Sequence, residues 1–171
     1  MLVEKAGFCD VAGVMEIVTH CILNMCSKGI YQWDDVYPSA AVIEDDFLSG
    51  SLYVIRQTGA CVAAVCLNEE QPEEYGRLPW RYRSGRVLVI HRLCVHPQWQ
   101  RQGLAARLLS FAEEHAAGHG FAAIRFDAYS GNPGALALYE RHGYERVSGT
   151  IQFPRRKLPF YCYEKEVDAN S

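Results

Sequence analysis

Val87-Leu88-Val89-Ile90-His91-Arg92-Leu93-Cys94-Val95, continuing into His96-Pro97-Gln98-Trp99-Gln100-Arg101-Gln102-Gly103-Leu104-Ala105, is the stretch that decides the fold. Its first part is a nearly unbroken apolar run rich in β-branched residues, the pattern of a central strand. His96-Pro97 stops the strand, because proline cannot donate to a ladder. From Leu104 to His115 the residues Leu104, Leu108, Phe111 and Ala112 fall on one helical face, and Gly118 and Gly120 end the helix. Between strand and helix, small residues at 103 and 105 let the backbone approach a bulky anion closely. The N–H groups at a helix start point at such an anion and the helix dipole favours its charge. In physical terms this is a pyrophosphate cradle; the same residues also suit a plain strand–loop–helix connection. Gln98 and Arg101 exclude the dinucleotide pattern G-x-G-x-x-G, and no G-K-[ST] follows for a Walker loop.

Outward toward the N-terminus, Asp10 is placed to cap a helix with Val11, Val14, Met15, Val18, Cys21, Ile22 and Met25 on one face, ended by Gly29. A polar and aromatic loop, residues 29–35, precedes a shorter helix near Ala41 to Ser49. Leu52–Gln57 and Cys61–Leu67 read as a hairpin turning at Thr58-Gly59. An acidic loop (residues 68–75) runs into a basic, aromatic stretch from Arg77 to Arg86. Toward the C-terminus, Ala122–Asp127 reads as a strand reached by a right-handed, parallel crossover. Asn132 caps a helix with Pro133 at its first position, and Gly143 ends it. Strands at Tyr144–Val147 and Tyr161–Val167 complete the order. It predicts an α/β fold, a mixed sheet with helices on both faces.

The chain has 171 residues, 49 % hydrophobic and 22 % charged, which suits one domain and argues against disorder. A domain over residues 1–171 buries about 70 % of its unfolded surface. The net charge of −3 gives no footprint for nucleic acid. No apolar run reaches the ~20 residues of a membrane span, and the N-terminus lacks a signal-peptide pattern, so the expected location is cytoplasmic. The seven cysteines form no C-x-x-C pair and read as small buried hydrophobes in a reducing compartment. The histidines show no ligand spacing, so no metal is expected.

A second cluster, Asn132-Pro133-Gly134-Ala135-Leu136-Ala137-Leu138-Tyr139-Glu140-Arg141-His142-Gly143-Tyr144, adds to the first. R/Q-x-x-G-x-G/A after a strand ending L-x-V-x-P, then N-x-x-A-x-x-L-Y-x-x-x-G-[FY], resembles the GNAT superfamily of N-acetyltransferases. Leu93, Val95, Pro97, Gln100, Gly103 and Ala105 carry the first half. Asn132, Ala135, Leu138, Tyr139, Gly143 and Tyr144 carry the second. The close match covers Val87 to Val147. Ala105, in place of a third glycine, is the departure and narrows the room at the phosphate.

The resemblance implies a GNAT-like mixed, central splayed β-sheet and a single acetyltransferase domain. It implies acetyl-CoA as donor, a primary amine of a small molecule or peptide as acceptor, and direct transfer through a tetrahedral intermediate. Gln100, Arg101, Gln102, Gly103, Leu104 and Ala105 would hold the pyrophosphate. Backbone groups of Leu93 and Val95 would bond the pantetheine, and the N–H of Cys94 or Val95 would polarise the thioester carbonyl. Asn132 would line the pantetheine channel, and Tyr139 would sit near the sulfur as the acid. His91, four residues before Val95 and so on its face by the two-residue period, is the candidate base. Glu69 and Glu70 are alternatives, and Asp127, at a strand end, is either a site residue or a turn residue. If the acidic loop faces the cleft, Glu69, Glu70, Glu73 and Glu74 would favour a cationic acceptor. Tyr31, Gln32, Trp33 and Asp34, with Phe160 and Tyr161, are expected around the acceptor. The sheet edge could support a homodimer. A silent acyl-CoA-binding or sensing module and a nucleotide-binding α/β domain are the other readings of the same loop.

Overall fold

A computed structural model describes residues 1–167. Seven strands hydrogen-bond in the order β1-β2-β3-β4-β5-β7-β6. They are β1 (Val3–Lys5), β2 (Leu52–Gln57), β3 (Ala60–Asn68), β4 (Arg86–Val95), β5 (Phe121–Tyr129), β6 (Glu145–Ile151) and β7 (Phe160–Glu166). The helices are α1 (Asp10–Cys26), α2 (Ala40–Leu48), α3 (Leu104–Gly118) and α4 (Pro133–Arg141). The mixed α/β class therefore stands. Contacts cluster in two compact units, Met1–Leu67 with His91–Phe111, and Asn68–Ile90 with Ala112 onward.

In the first unit, β1 pairs antiparallel with β2 and β2 with β3. The hairpin turns at Thr58-Gly59 as read; Thr58 (φ 48) and Gly59 (φ 84) are both left-handed, the backbone of a type I′ turn, which matches strand twist. The core packs Val14, Ile17, Val18 and Cys21 of α1 with Ile43 of α2, Leu52 and Val54 of β2, Ala64 of β3 and Cys94 of β4. Each large apolar side chain buried there stabilises by about 1.5–3 kcal/mol. The period of α1 is as read, but its cap is not. Cys9 is the N-cap and makes no side-chain cap bond. Asp10 instead turns back to accept the Gly7 N–H at 2.6 Å and the Arg56 Nε at 2.8 Å. Strand β1 was not legible, being three residues long with only Val3 half-buried.

In the second unit, the start of β4 runs parallel to β5, from Arg86↔Phe121 to Val89↔Arg125, as the crossover reading expects. β7 pairs antiparallel with both β5 and β6. β5 is longer than read, so Asp127 lies inside it, opposite Cys162 of β7, and is neither a strand end nor a turn residue. Part of the supposed acidic loop, Glu73–Arg77, is a short 3-10 helix whose Tyr75 is buried. Tyr75 and Trp80 seed a core with Val87, Val89, Val147, Ile151 and Cys162. Four cysteines, 21, 66, 94 and 162, are buried as read, whereas Cys9 and Cys26 are exposed; all seven are free thiols.

Candidate active site

The end of β4 and the start of α3 lie together in the first unit. The His96 N–H bonds the Val62 carbonyl of β3 at 2.9 Å. Alternation along the strand then points the Cys94 amide toward β3 and the Val95 and Leu93 amides to the opposite edge. Of the Cys94 and Val95 amides, Val95 is the one that points away from β3. The Val95 carbonyl is already committed, to Gln100 Nε2 at 3.1 Å and Cys21 Sγ at 3.3 Å. Gln100 thus ties the loop back to the strand. The Cys94 thiol is buried, and burial raises its pKa well above the ordinary thiol value.

Past the strand, Pro97–Trp99 form a 3-10 turn capped by His96, whose Nδ1 accepts the Gln98 N–H at 3.3 Å. Arg101 (φ 62) and Gly103 (φ 80) are both left-handed, with Gln102 between them not so. Such alternation folds successive N–H groups into an anion-binding concavity. The first bond into α3 runs from the Arg107 N–H to the Gly103 carbonyl at 3.0 Å. Gly103 therefore stands at the N-cap, and the amides of Leu104, Ala105 and Ala106 precede any intrahelical acceptor. A Ser or Asp there would take one of those amides itself; glycine takes none. A Cβ added at Gly103 would meet no atom within 4 Å, so the space before these amides is open. Arg101, Gln102 and Gly103 are exposed, Ala105 is half-buried and Leu104 is buried. The residues present thus fit a diphosphate.

His91 and Leu93 are half-buried on β4. Between them Arg92 adopts φ 51, so the two-residue count does not carry from Val95 to His91. Arg92 itself was not singled out by the sequence. Its Nε donates to Asp46 Oδ2 of α2 at 2.6 Å, a second nitrogen reaches Asp46 Oδ1, and Nη1 reaches Tyr37 Oη at 3.0 Å. Desolvation is the largest single influence on Arg92 and opposes its charge, but the Asp46 bond and the acidic groups around it together outweigh it, and its pKa is raised. Trp33 is buried in the core of this unit, whereas Tyr31 is exposed.

The second unit holds the remaining candidates. Asn132 caps α4, its Oδ1 accepting the Ala135 N–H at 3.3 Å. Tyr139 of α4 packs on Phe126, with ring centres 4.5 Å apart, and stands 6.0 Å from Tyr163. Burial pushes its phenol up to about 12, and the charge of Asp127 adds to the shift. Glu69 is paired with exposed Arg86 at 2.6 and 3.3 Å, which lowers its carboxyl pKa, the wrong direction for a base. Glu70 donates its N–H to Asn68 Oδ1 at 2.9 Å. Asp127 accepts the Tyr75 hydroxyl at 2.9 Å. Phe160 is buried between Tyr129 and Phe153, and Tyr161 lies under the Arg146 guanidinium. Among the described residues no three His, Cys, Asp or Glu side chains gather as a metal site, and no helix is long and apolar enough to cross a membrane.

A family model described as the acetyltransferase (GNAT) family matches residues 20–144, and the chain belongs to that family. The chain is 26 % identical over 143 residues to a Bacillus subtilis protein named uncharacterized N-acetyltransferase YesJ, covering 83 % of this chain and 73 % of that one. Its fold is similar to a GNAT-family acetyltransferase from Streptococcus agalactiae, with TM-score 0.82 and 21 % identity over 98 % of this chain and 95 % of the other. It is similar as well to yncA of Salmonella typhimurium, solved with its cofactor acetyl-CoA, with TM-score 0.72 and 19 % identity over 100 % and 96 % of the two chains.

Proposed function

We propose that this protein moves an acetyl group from acetyl-CoA to a primary amine of a small molecule or peptide. The observation that carries the reading is the helix start itself. Left-handed Arg101 and Gly103 precede uncapped amides, and the space in front of Gly103 is open. The family and the acetyl-CoA of the yncA structure support the choice of donor.

Acetyl-CoA supplies an activated acyl carbon and a leaving thiolate. The amides from Gln102 to Ala105 hold its diphosphate, with Arg101 adding charge. Val95 N–H, on the strand edge away from β3, donates to the carbonyl oxygen on which negative charge grows; one such donor is worth about 10²–10³ in rate. An acceptor of pKa near 10.4 is only about one part in 10³ neutral at pH 7, so a base must take its proton. His91 is assigned that role on the resemblance to the family, with Glu70 as the alternative, since Arg86 already holds Glu69. Tyr139 donates a hydrogen bond to the departing sulfur; this assignment rests on the resemblance of Asn132–Tyr144 to the family.

A screen of amines and peptides with acetyl-CoA, read by release of free thiol, tests the proposal. Thiol release with at least one amine is expected. Tight acetyl-CoA binding without release would favour a silent sensing module, and binding of ATP or NAD alone would remove the reading.

A further inference from the structure

The segment between β3 and β4, read from its sequence as an acidic loop running into a basic one, builds a pocket of about 570 Å³ in the second unit. That is the size range of small-molecule sites. Gln71, Tyr75, Arg77, Trp80, Arg83 and Arg125 line it, and no carboxylate does. Glu69 is turned onto Arg86 instead.

Arg125 is the unusual member. It sits on β5 with 7 % of its surface exposed. Buried charges ordinarily face an opposite charge. Here the guanidinium is held by neutral groups, Nη1 on Gln71 Oε1 at 2.8 Å and a second nitrogen on the Tyr82 carbonyl. Its face lies 4.3 Å from the Trp80 ring centre. Its Nε is buried and has no partner. Glu164, whose charge acts on it, spends its carboxylate on the Arg81 N–H at 2.7 Å and the Tyr82 N–H at 3.4 Å. Burial holds Arg125 below the ordinary arginine pKa, a desolvation that a bound anion would offset. Around it, Arg77 has no side-chain partner among the described residues, and Arg83 is held through Nε on the Trp80 carbonyl at 2.9 Å.

The walls are preorganised. Trp80 Nε1 donates to the Tyr75 carbonyl at 2.7 Å, and the Tyr75 hydroxyl is fixed on Asp127. A fixed aromatic wall beside an oriented guanidinium with no direct carboxylate partner, with the exposed Arg77 and Arg83 also lining the pocket, is the arrangement that captures a carboxylate or phosphate. We propose that this pocket binds a small organic anion bearing a carboxylate or phosphate group. The site goes beyond the acetyl-transfer reading and needs none of its assumptions.

Thermal unfolding of the full chain with citrate, with inorganic phosphate, and with chloride at matched ionic strength tests it. Citrate or phosphate at millimolar concentration is expected to raise Tm above the chloride control. The variant R77Q/R83Q, altered only at exposed side chains, is expected to bind the effective anion about tenfold more weakly. A response to citrate alone assigns a carboxylate ligand, and one to phosphate alone a phosphate ester. Because phosphate can also meet the start of α3, the decisive quantity is the part of the response lost in R77Q/R83Q. No response beyond chloride, or an equal response in the variant, would overturn the proposal. Neither result depends on acetyl transfer, so its failure and that of the proposed function are separable.

Discussion

Arg92 and Asp46 meet through two bonds between the left-handed residue of β4 and the core-facing side of α2, with side-chain exposures of only 13 % and 7 %. The pair anchors a strained backbone: a non-glycine residue held left-handed costs about 1–3 kcal/mol and persists only where its surroundings enforce it. Removing one partner leaves the other charge buried and alone. Asp46→Asn is therefore expected to destabilise the fold by about 3–5 kcal/mol, measured by urea unfolding. The double variant D46L/R92M should lose less than the sum of the single ones, and additivity would show that the two side chains do not act as a pair.

Asp10 makes a second prediction, in pH. The Arg56 bond, aided by the Gly7 N–H, holds its carboxyl at about 2, below the ordinary 3.8. A depressed folded pKa means the stabilisation is complete above the unfolded value and is lost as pH falls through the folded one. The window is therefore about pH 4 down to pH 2, and the amount about 2 kcal/mol. Asp10→Asn should flatten stability across that window while lowering it at pH 7. An unchanged slope between pH 4 and pH 2 would assign the acid sensitivity elsewhere.

These two pairs mark where sequence reading stops. Periodicity and turn chemistry placed α1, the Thr58-Gly59 hairpin and the β4–α3 connection, because each is set by neighbours along the chain. Asp10 looks like a helix cap by position, but Arg56 lies 46 residues on and only the folded sheet brings it near. Asp46 and Arg92 are likewise 46 residues apart. The acidic run 69–74 carried the opposite error: charge composition said what the segment holds, not that Glu69 turns to Arg86 while Arg125 enters the pocket beside it. Trp33 and Phe160, polar-loop and strand-end aromatics by position, are core residues.

Gly103 separates conformation from ligand contact. A Cβ added there meets no protein atom, so the folding cost of alanine is that of a left-handed Cβ, about 1–2 kcal/mol. The same Cβ would stand in the open space at this helix start. Gly103→Ala is therefore expected to weaken acetyl-CoA binding by about tenfold, or ~1.4 kcal/mol, with a fall in Tm no larger than that folding cost. Calorimetric titration checks it. Undiminished affinity would mean that the diphosphate does not lie against this helix start.

Tyr139 sharpens the acid step. Its phenol, raised to about 12, stays protonated throughout the physiological range. Full transfer to a thiolate of ordinary pKa near 8.5 is then uphill by about 5 kcal/mol, so in the proposed mechanism the hydroxyl would only donate a hydrogen bond, and the sulfur would leave as a thiolate that bulk solvent protonates afterwards. Two outcomes follow from that difference. Tyr139→Phe should lower kcat by about 10–10²-fold, less than the loss of a full general acid, with KM for acetyl-CoA little changed. The native enzyme should show no alkaline limb below pH 10 that Tyr139→Phe removes. A limb near pH 9 that disappears in the phenylalanine variant would mean the phenol titrates far below its buried value and donates its proton outright.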